Sequence, residues 1–215
     1  MSPSFHRILV IVTACLVVSV LGFFYLQNQK QKQMPLAIDP TGQPFMGSDE
    51  AKVEVVLFED FQCALCQKFN EEILPKLEAD YVDRGTVRCY LVLLAFIEGS
   101  EPIANAALAV YRQTPDLFFP YTMAVFHYLK EHPLDEIDPS ILLLIANQVG
   151  GIDLTSLKRA IQSNRYVEEI RRNFYWAEEI MGPHFGTPAI FVNGVRIPPM
   201  SYQALQNQIN KAERQ

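Results

Sequence analysis

From Lys52 to Phe58 the sequence KVEVVLF is dense in β-branched and apolar residues, the composition of a strand covered on both faces. EDFQ leads from it into Cys63-Ala64-Leu65-Cys66, after which Leu65, Phe69, Ile73, Leu74, Leu77 and Tyr81 recur at helical spacing. Pro75 predicts a kink in that helix, and Gly85 a stop. Thr86 to Leu94 then reads as a second buried strand. A strand, a helix and a strand in this order require parallel strands joined by a right-handed crossover. The cysteine pair therefore falls at a strand-to-helix junction.

Between residues 101 and 181 the patterns are helical throughout: 103–112, 118–130, 139–149, 154–163 and 166–181. The chain returns to strand at Ala189 to Val192, turns at Asn193-Gly194, a strong hairpin signal, continues through Val195-Arg196-Ile197 and ends in a helix from about Ser201. The fold class expected is α/β, one domain over 45–215 with an inserted helical subdomain at about 101–181.

The segment before the domain has a different chemistry. No charged residue occurs from Ile8 to Leu26, a length able to span a bilayer as a helix, with Arg7 before it and polar QNQKQKQ after it. Residues 1–26 are expected to be a signal anchor and transmembrane helix. Lipidation at Cys15, in Val-Thr-Ala-Cys, is the competing reading, and it would leave apolar Leu16 to Leu26 as the mature N-terminus. Arg7 on one side and Lys30 and Lys32 on the other leave orientation unset by charge alone. Residues 27–44, rich in Gln and Pro, are expected to be a linker. A formal charge of −6 leaves no basic face to neutralise phosphates, which excludes nucleic acid as a partner class.

Four cysteines are too few for a disulfide-stapled scaffold, and two of them form a lone Cys-x-x-Cys. At the N-terminus of a helix the dipole and the free N–H groups favour the thiolate of Cys63, and Cys66 stands where it can resolve a mixed disulfide. A chance buried pair or half a zinc site are the bland alternatives. Cys89 alternates into the core of a strand and is read as a small core residue, and Phe174, Tyr175 and Trp176 as core packing rather than a peptide groove.

Gly186-Thr187-Pro188-Ala189, just before the hairpin, together with FEDFQCALCQKF, resembles the DsbA-like branch of the thioredoxin superfamily. The resemblance runs over about residues 45–215 and includes the helical insertion. It implies a protein thiol:disulfide oxidoreductase with Cys63 and Cys66 catalytic. It also implies a cis Thr187-Pro188 bond beside the disulfide, exposing backbone that pairs with an extended substrate. No cofactor or metal is expected. The implied location is the cell membrane, with the catalytic domain on the periplasmic or outer face. The implied partners are cysteine-containing exported proteins and a membrane redox partner, either a quinone-linked oxidase or an electron donor.

The chain departs from that family twice. Ala64 and Leu65 offer the thiolate neither a donor nor a positive charge, where many relatives carry His or Tyr with Pro. Leu57 stands six positions before Cys63, where many relatives carry a buried acid, so Glu59 or Asp60 is expected to substitute and His184 is a further candidate for tuning the thiolate. Disulfide formation is the expected direction. The alternatives are a reductase or isomerase kept reduced by a membrane electron donor, and a non-catalytic peptide-binding chaperone.

Overall fold

The computed structural model describes residues 12, 13, 15–23, 35–132 and 137–215. Most of the apolar run from Ile8 to Leu26 can be followed only in part: residues 12, 13 and 15–23 are helical, and the remainder lies outside the described residues. Among the described residues no helix is long and apolar enough to cross a membrane. The compact unit is Leu36–Gln215, so residues 36–44, expected as linker, belong to it. Leu36 N–H donates to Gly194 O at 2.9 Å, an approach so close that a Cβ on Gly194 would meet Leu36 O at 2.1 Å.

Five strands, β1 (Phe45–Met46), β2 (Val53–Asp60), β3 (Val87–Leu94), β4 (Ala189–Val192) and β5 (Val195–Ile197), form one sheet in the order β1-β3-β2-β4-β5. The central pair β2 and β3 is parallel, as the strand-helix-strand unit requires, and the remaining pairings are antiparallel. The predicted hairpin joins β4 and β5, with Asn193 and Gly194 at φ of 43° and 75°, the left-handed conformation such a two-residue turn demands.

The helix after the cysteine pair is broken where Pro75 predicts: α1 (Ala64–Glu72) and α2 (Leu74–Leu77) meet at Ile73, and a π-helical turn, Glu78–Val82, follows. The insertion holds α3 (Ser100–Gln113), α4 (Phe118–Glu131), α5 (Pro139–Val149), α6 (Leu154–Gln162) and α7 (Val167–Met181), and α8 (Tyr202–Ala212) closes the domain. Asp138, Asp153 and Ser201 cap α5, α6 and α8 by accepting first-turn N–H groups, which fixes where each helix starts. Buried Asn105 on α3 bonds Ala160 O and accepts from Tyr166 N–H, tying α3 to the α6–α7 turn.

Alternation along β2 sorts the core. Val53, Val55 and Leu57 face the larger cluster, with Phe69 of α1, Leu91 and Leu93 of β3 and most of the helical insertion. Val56 and Phe58 face the smaller cluster, with Val92, Phe191 and the Ala177 and Met181 side of α7. Trp176 joins that face, its ring 5.2 Å from Phe58.

Candidate active site

Strand β2 extends two residues further than the sequence predicts, through Glu59 and Asp60, before a tight turn in which Cys63 N–H donates to Asp60 O at 3.1 Å. Cys63 is the N-cap of α1, in extended conformation with φ −78° and ψ 114°, and its side chain makes no capping bond. Its sulfur is left beside the unsatisfied N–H groups of the first turn. Cys63 is half-buried, whereas Cys66, one turn in, is fully buried, and both are free thiols.

The Thr187-Pro188 peptide is cis, as the resemblance implies, and Cys63 Sγ lies 3.3 Å from Thr187 O. A segment 124 residues away in sequence thus closes over the nucleophile end of the pair. Pro188 is buried and Thr187 half-buried, so the backbone just before the buried strand β4 borders the sulfur.

The two thiols are held in opposite states. A hydrogen bond from Cys66, aided by Thr187 and by the N–H groups of Cys66 and Leu65, holds Cys63 down to about 6 against the opposing effect of burial. Burial pushes Cys66 far up, and its donation to Cys63 and the nearby Glu59 add to the rise. The surroundings thus favour ionisation of Cys63 and keep Cys66 protonated.

Glu59 and Asp60 are both fully buried and point to opposite faces of β2. Glu59 shares a face with Leu57, so the acid missing at Leu57 reappears two residues along on the same side. Its Oε2 accepts from Asn70 Nδ2 at 2.6 Å, and the same amide nitrogen donates to Cys66 O at 2.9 Å. Glu59 Oε1 has no hydrogen-bond partner. Burial pushes the Glu59 carboxyl up to about 8, against the pull of the Asn70 bond and with the Cys63 charge adding to the rise. Asp60 instead accepts from Gln62 N–H at 2.9 Å, Phe96 N–H at 3.0 Å, Ile97 N–H at 3.1 Å and Ser100 Oγ at 3.0 Å. Burial raises Asp60 too, opposed by those four bonds. Asp60 fixes the turn into α1 and the loop into α3, and Glu59 sits under the cysteine pair.

His184 is exposed in a 3-10 turn, its carbonyl accepting from Arg196 Nη1 at 2.7 Å. The groups that set the Cys63 thiol are Cys66, Thr187 and first-turn N–H groups, and His184 is not among them. Leu65 is 51% exposed beside the sulfur rather than folded over it. Cys89 is fully buried in β3. Tyr175 is 61% exposed, against the expectation of core packing, because it lies on the solvent face of α7 while Trp176 turns inward. Phe174 meets Phe96 and Phe185 in an aromatic cluster with ring centroids 6.3 and 5.4 Å away. Sequence reading missed Asn70 and Ser100. The signal for Asn70 was present, a polar residue four positions after Cys66 on the buried stripe of the helix.

The thioredoxin family model matches residues 40–211, most of the chain. Disulfide bond formation protein D of Bacillus subtilis is 28% identical over 172 residues, 79% of this chain and 77% of that protein. The crystal structure of oxidised BdbD from Bacillus subtilis superposes with a TM-score of 0.76 at 26% identity, covering 86% of this chain and 100% of the other. Chlamydia trachomatis DsbA gives a TM-score of 0.75 at 26% identity, over 84% of this chain and 98% of its own. A thiolate on the first cysteine of a helix-capping pair, a cis-proline loop against it and these likenesses agree: the chain belongs to the thioredoxin family and is a DsbA-like thiol:disulfide oxidoreductase.

Proposed function

We propose that this chain forms disulfide bonds in exported proteins from the outer side of a membrane, through Cys63 and Cys66. The observation that carries the reading is Cys63 at the N-cap of α1 against the cis Thr187-Pro188 loop, where Cys66 and the first-turn N–H groups hold its thiol down to about 6. A stabilised thiolate favours the reduced enzyme, so its disulfide tends to pass to clients. The Cys66 donor and the first-turn N–H groups do what a His between the cysteines would otherwise do.

In the forward step a client thiolate attacks Cys63 Sγ, the Cys63–Cys66 bond breaks, and Cys66 Sγ takes up a proton. A second client thiolate then attacks the client sulfur of the mixed disulfide and releases Cys63 as thiolate. The client loses two electrons to the enzyme disulfide and two protons to solvent, while the proton that ends on Cys66 comes from within the site. Glu59, neutral near pH 7 because of its burial, is the group placed to protonate Cys66, and it accepts that proton back when the pair is reoxidised. Thr187 and Pro188 present backbone to the extended client. Asp60 supports the turn, and His184 stays outside the thiolate's set of contacts.

Residues 8–26 tether the domain, with residues 1–7 in the cytoplasm, and a membrane oxidase restores the disulfide. The uncharged run and its charged flanks support the tether.

Trapping tests the assignment of roles. Cys66→Ala should accumulate mixed disulfides with dithiol clients, and Cys63→Ser should form none. Equal trapping by both variants, or by neither, would contradict it, and a native chain found reduced in cells would reverse the direction.

A further inference from the structure

The chain between α7 and β4 carries the backbone that borders Cys63, and little hydrogen bonding of its own fixes it. Phe185 N–H donates to Gly182 O at 3.1 Å, which closes the 3-10 turn Gly182–His184. From His184 to Pro188 the polar holds from outside the loop are two among the described residues: Arg196 Nη1, 2.7 Å from His184 O, and Cys63 Sγ, 3.3 Å from Thr187 O. Packing adds a third hold on the side of α7, where the Phe185 ring lies 5.1 Å from Phe96 and 5.4 Å from Phe174. Arg196 stands on the edge strand β5, directly opposite Phe191 of β4, with its guanidinium carbon 5.8 Å from the centre of that ring. Phe191 is fully buried and meets Phe58 of β2 edge to face, so the guanidinium rests on a ring fixed in the core while it reaches a carbonyl 12 residues earlier in the chain.

The two polar holds differ in kind. The Cys63 sulfur is a thiol, a thiolate or half of a disulfide at successive points of exchange, so its hold on Thr187 changes as the reaction proceeds. A guanidinium stays protonated and only donates, so the hold at His184 O is the same in every redox state. Only Phe185 and Gly186 separate His184 from Thr187, and a glycine leaves the backbone free to turn, so the place of Thr187 depends on where the chain is held before it. We propose that Arg196 is the positioning residue of the cis-proline loop: by holding His184 O it sets where the Thr187 backbone lies against Cys63, and so governs exchange with extended peptide clients and not with small thiols. This rests on the role given above to Thr187 and Pro188 in presenting backbone to the client. An extended client must meet that backbone at several points while its sulfur reaches Cys63, whereas a small thiol needs the sulfur alone. A loop released at His184 loses the first kind of match and keeps the second.

The oxidised full chain in detergent, with folding checked by circular dichroism, is mixed rapidly with an unstructured dithiol peptide over a range of concentrations, and separately with dithiothreitol. Reduction of the Cys63–Cys66 disulfide is followed by acid quench and alkylation. Arg196→Met keeps an apolar stem over Phe191 and removes the donor. It should raise the half-saturating peptide concentration about fivefold, the worth of one net hydrogen bond. The limiting rate with peptide and the rate constant with dithiothreitol should both stay within about twofold of native, the signature of lost binding and not of lost chemistry. Arg196→Gln, whose polar head sits on a stem two atoms shorter, should show the same split and serves if Arg196→Met fails to fold. A merely structural role would slow peptide and dithiothreitol alike, and that result would overturn the proposal. So would a native half-saturating concentration in both variants, and in that case the native chain's reaction with the peptide would leave the client role standing. A native chain reduced by dithiothreitol but not by the peptide would overturn the client role itself, and the proposal with it.

Discussion

The last two residues of β2 carry the same chemical group into opposite surroundings. Asp60 is fully buried and accepts four hydrogen bonds, three from backbone N–H groups and one from Ser100. Glu59, equally buried and on the other face, has a single donor, Asn70, and one oxygen with no partner. Burial alone does not separate a structural carboxylate from one available for chemistry. The number of donors does, because each one ties the charge to a fixed geometry while an unpaired oxygen leaves the proton free to move.

The largest effect expected from this contrast is on Asp60. Asp60→Ala leaves three N–H groups and the Ser100 hydroxyl without their acceptor, and should cost about 3 to 5 kcal/mol, the range for removing one member of a buried charged network. Urea unfolding would show it, and a loss below about 1 kcal/mol would break the contrast at once. Glu59→Gln should behave differently. With its carboxyl at about 8 in the folded protein against 4.5 for an ordinary glutamate, Glu59 binds its proton more tightly when folded. Its contribution is intact below pH 4.5 and is lost as pH rises towards 8, at about 1.4 kcal/mol for each pH unit at most. The variant should therefore gain on the native protein by a few kcal/mol between those pH values and by nothing further above them. A pH-independent difference would mean that Glu59 ionises freely.

Much of this architecture is legible in the sequence, and the reasons are particular. KVEVVLF, the helical spacing after the cysteines and the second strand fix a parallel pair, and Asn193-Gly194 fixes the hairpin. Cys63, Cys66 and Pro188 are legible because each is a residue type with few other uses in its setting. Glu59 was less so. Two adjacent acids after an apolar run read as the start of a loop, since charged residues are rarely fully buried, and only the partners Asn70 and Ser100, far along the chain, make the longer strand tenable. Strand β1 has two residues and no periodicity to detect, and it exists because Phe45 and Met46 lie against Tyr90 and Cys89 on the open side of β3. Tyr175 and Trp176 show the same limit, for neighbours on a helix face opposite ways and the sequence alone does not say which faces the sheet.

The smallest effect sharpens the contrast from the other side. Ser100→Ala removes one of the four donors to Asp60 and keeps three, so it should cost only about 1 kcal/mol and leave thiol exchange at the native rate. A loss of exchange would show that the loop into α3, and not only β2, governs the cysteine pair.

The ionisation of Cys63 is best followed by titrating the reduced full chain, through thiolate ultraviolet absorbance and the pH dependence of alkylation. One thiol should titrate near pH 6, identified as Cys63 by mapping the modified residue, while Cys66 stays protonated and unmodified. Cys66→Ala, which removes the hydrogen bond to the sulfur, should raise that midpoint towards the ordinary thiol value of 9.0. A native midpoint near 9, or equal alkylation of the two cysteines, would contradict it.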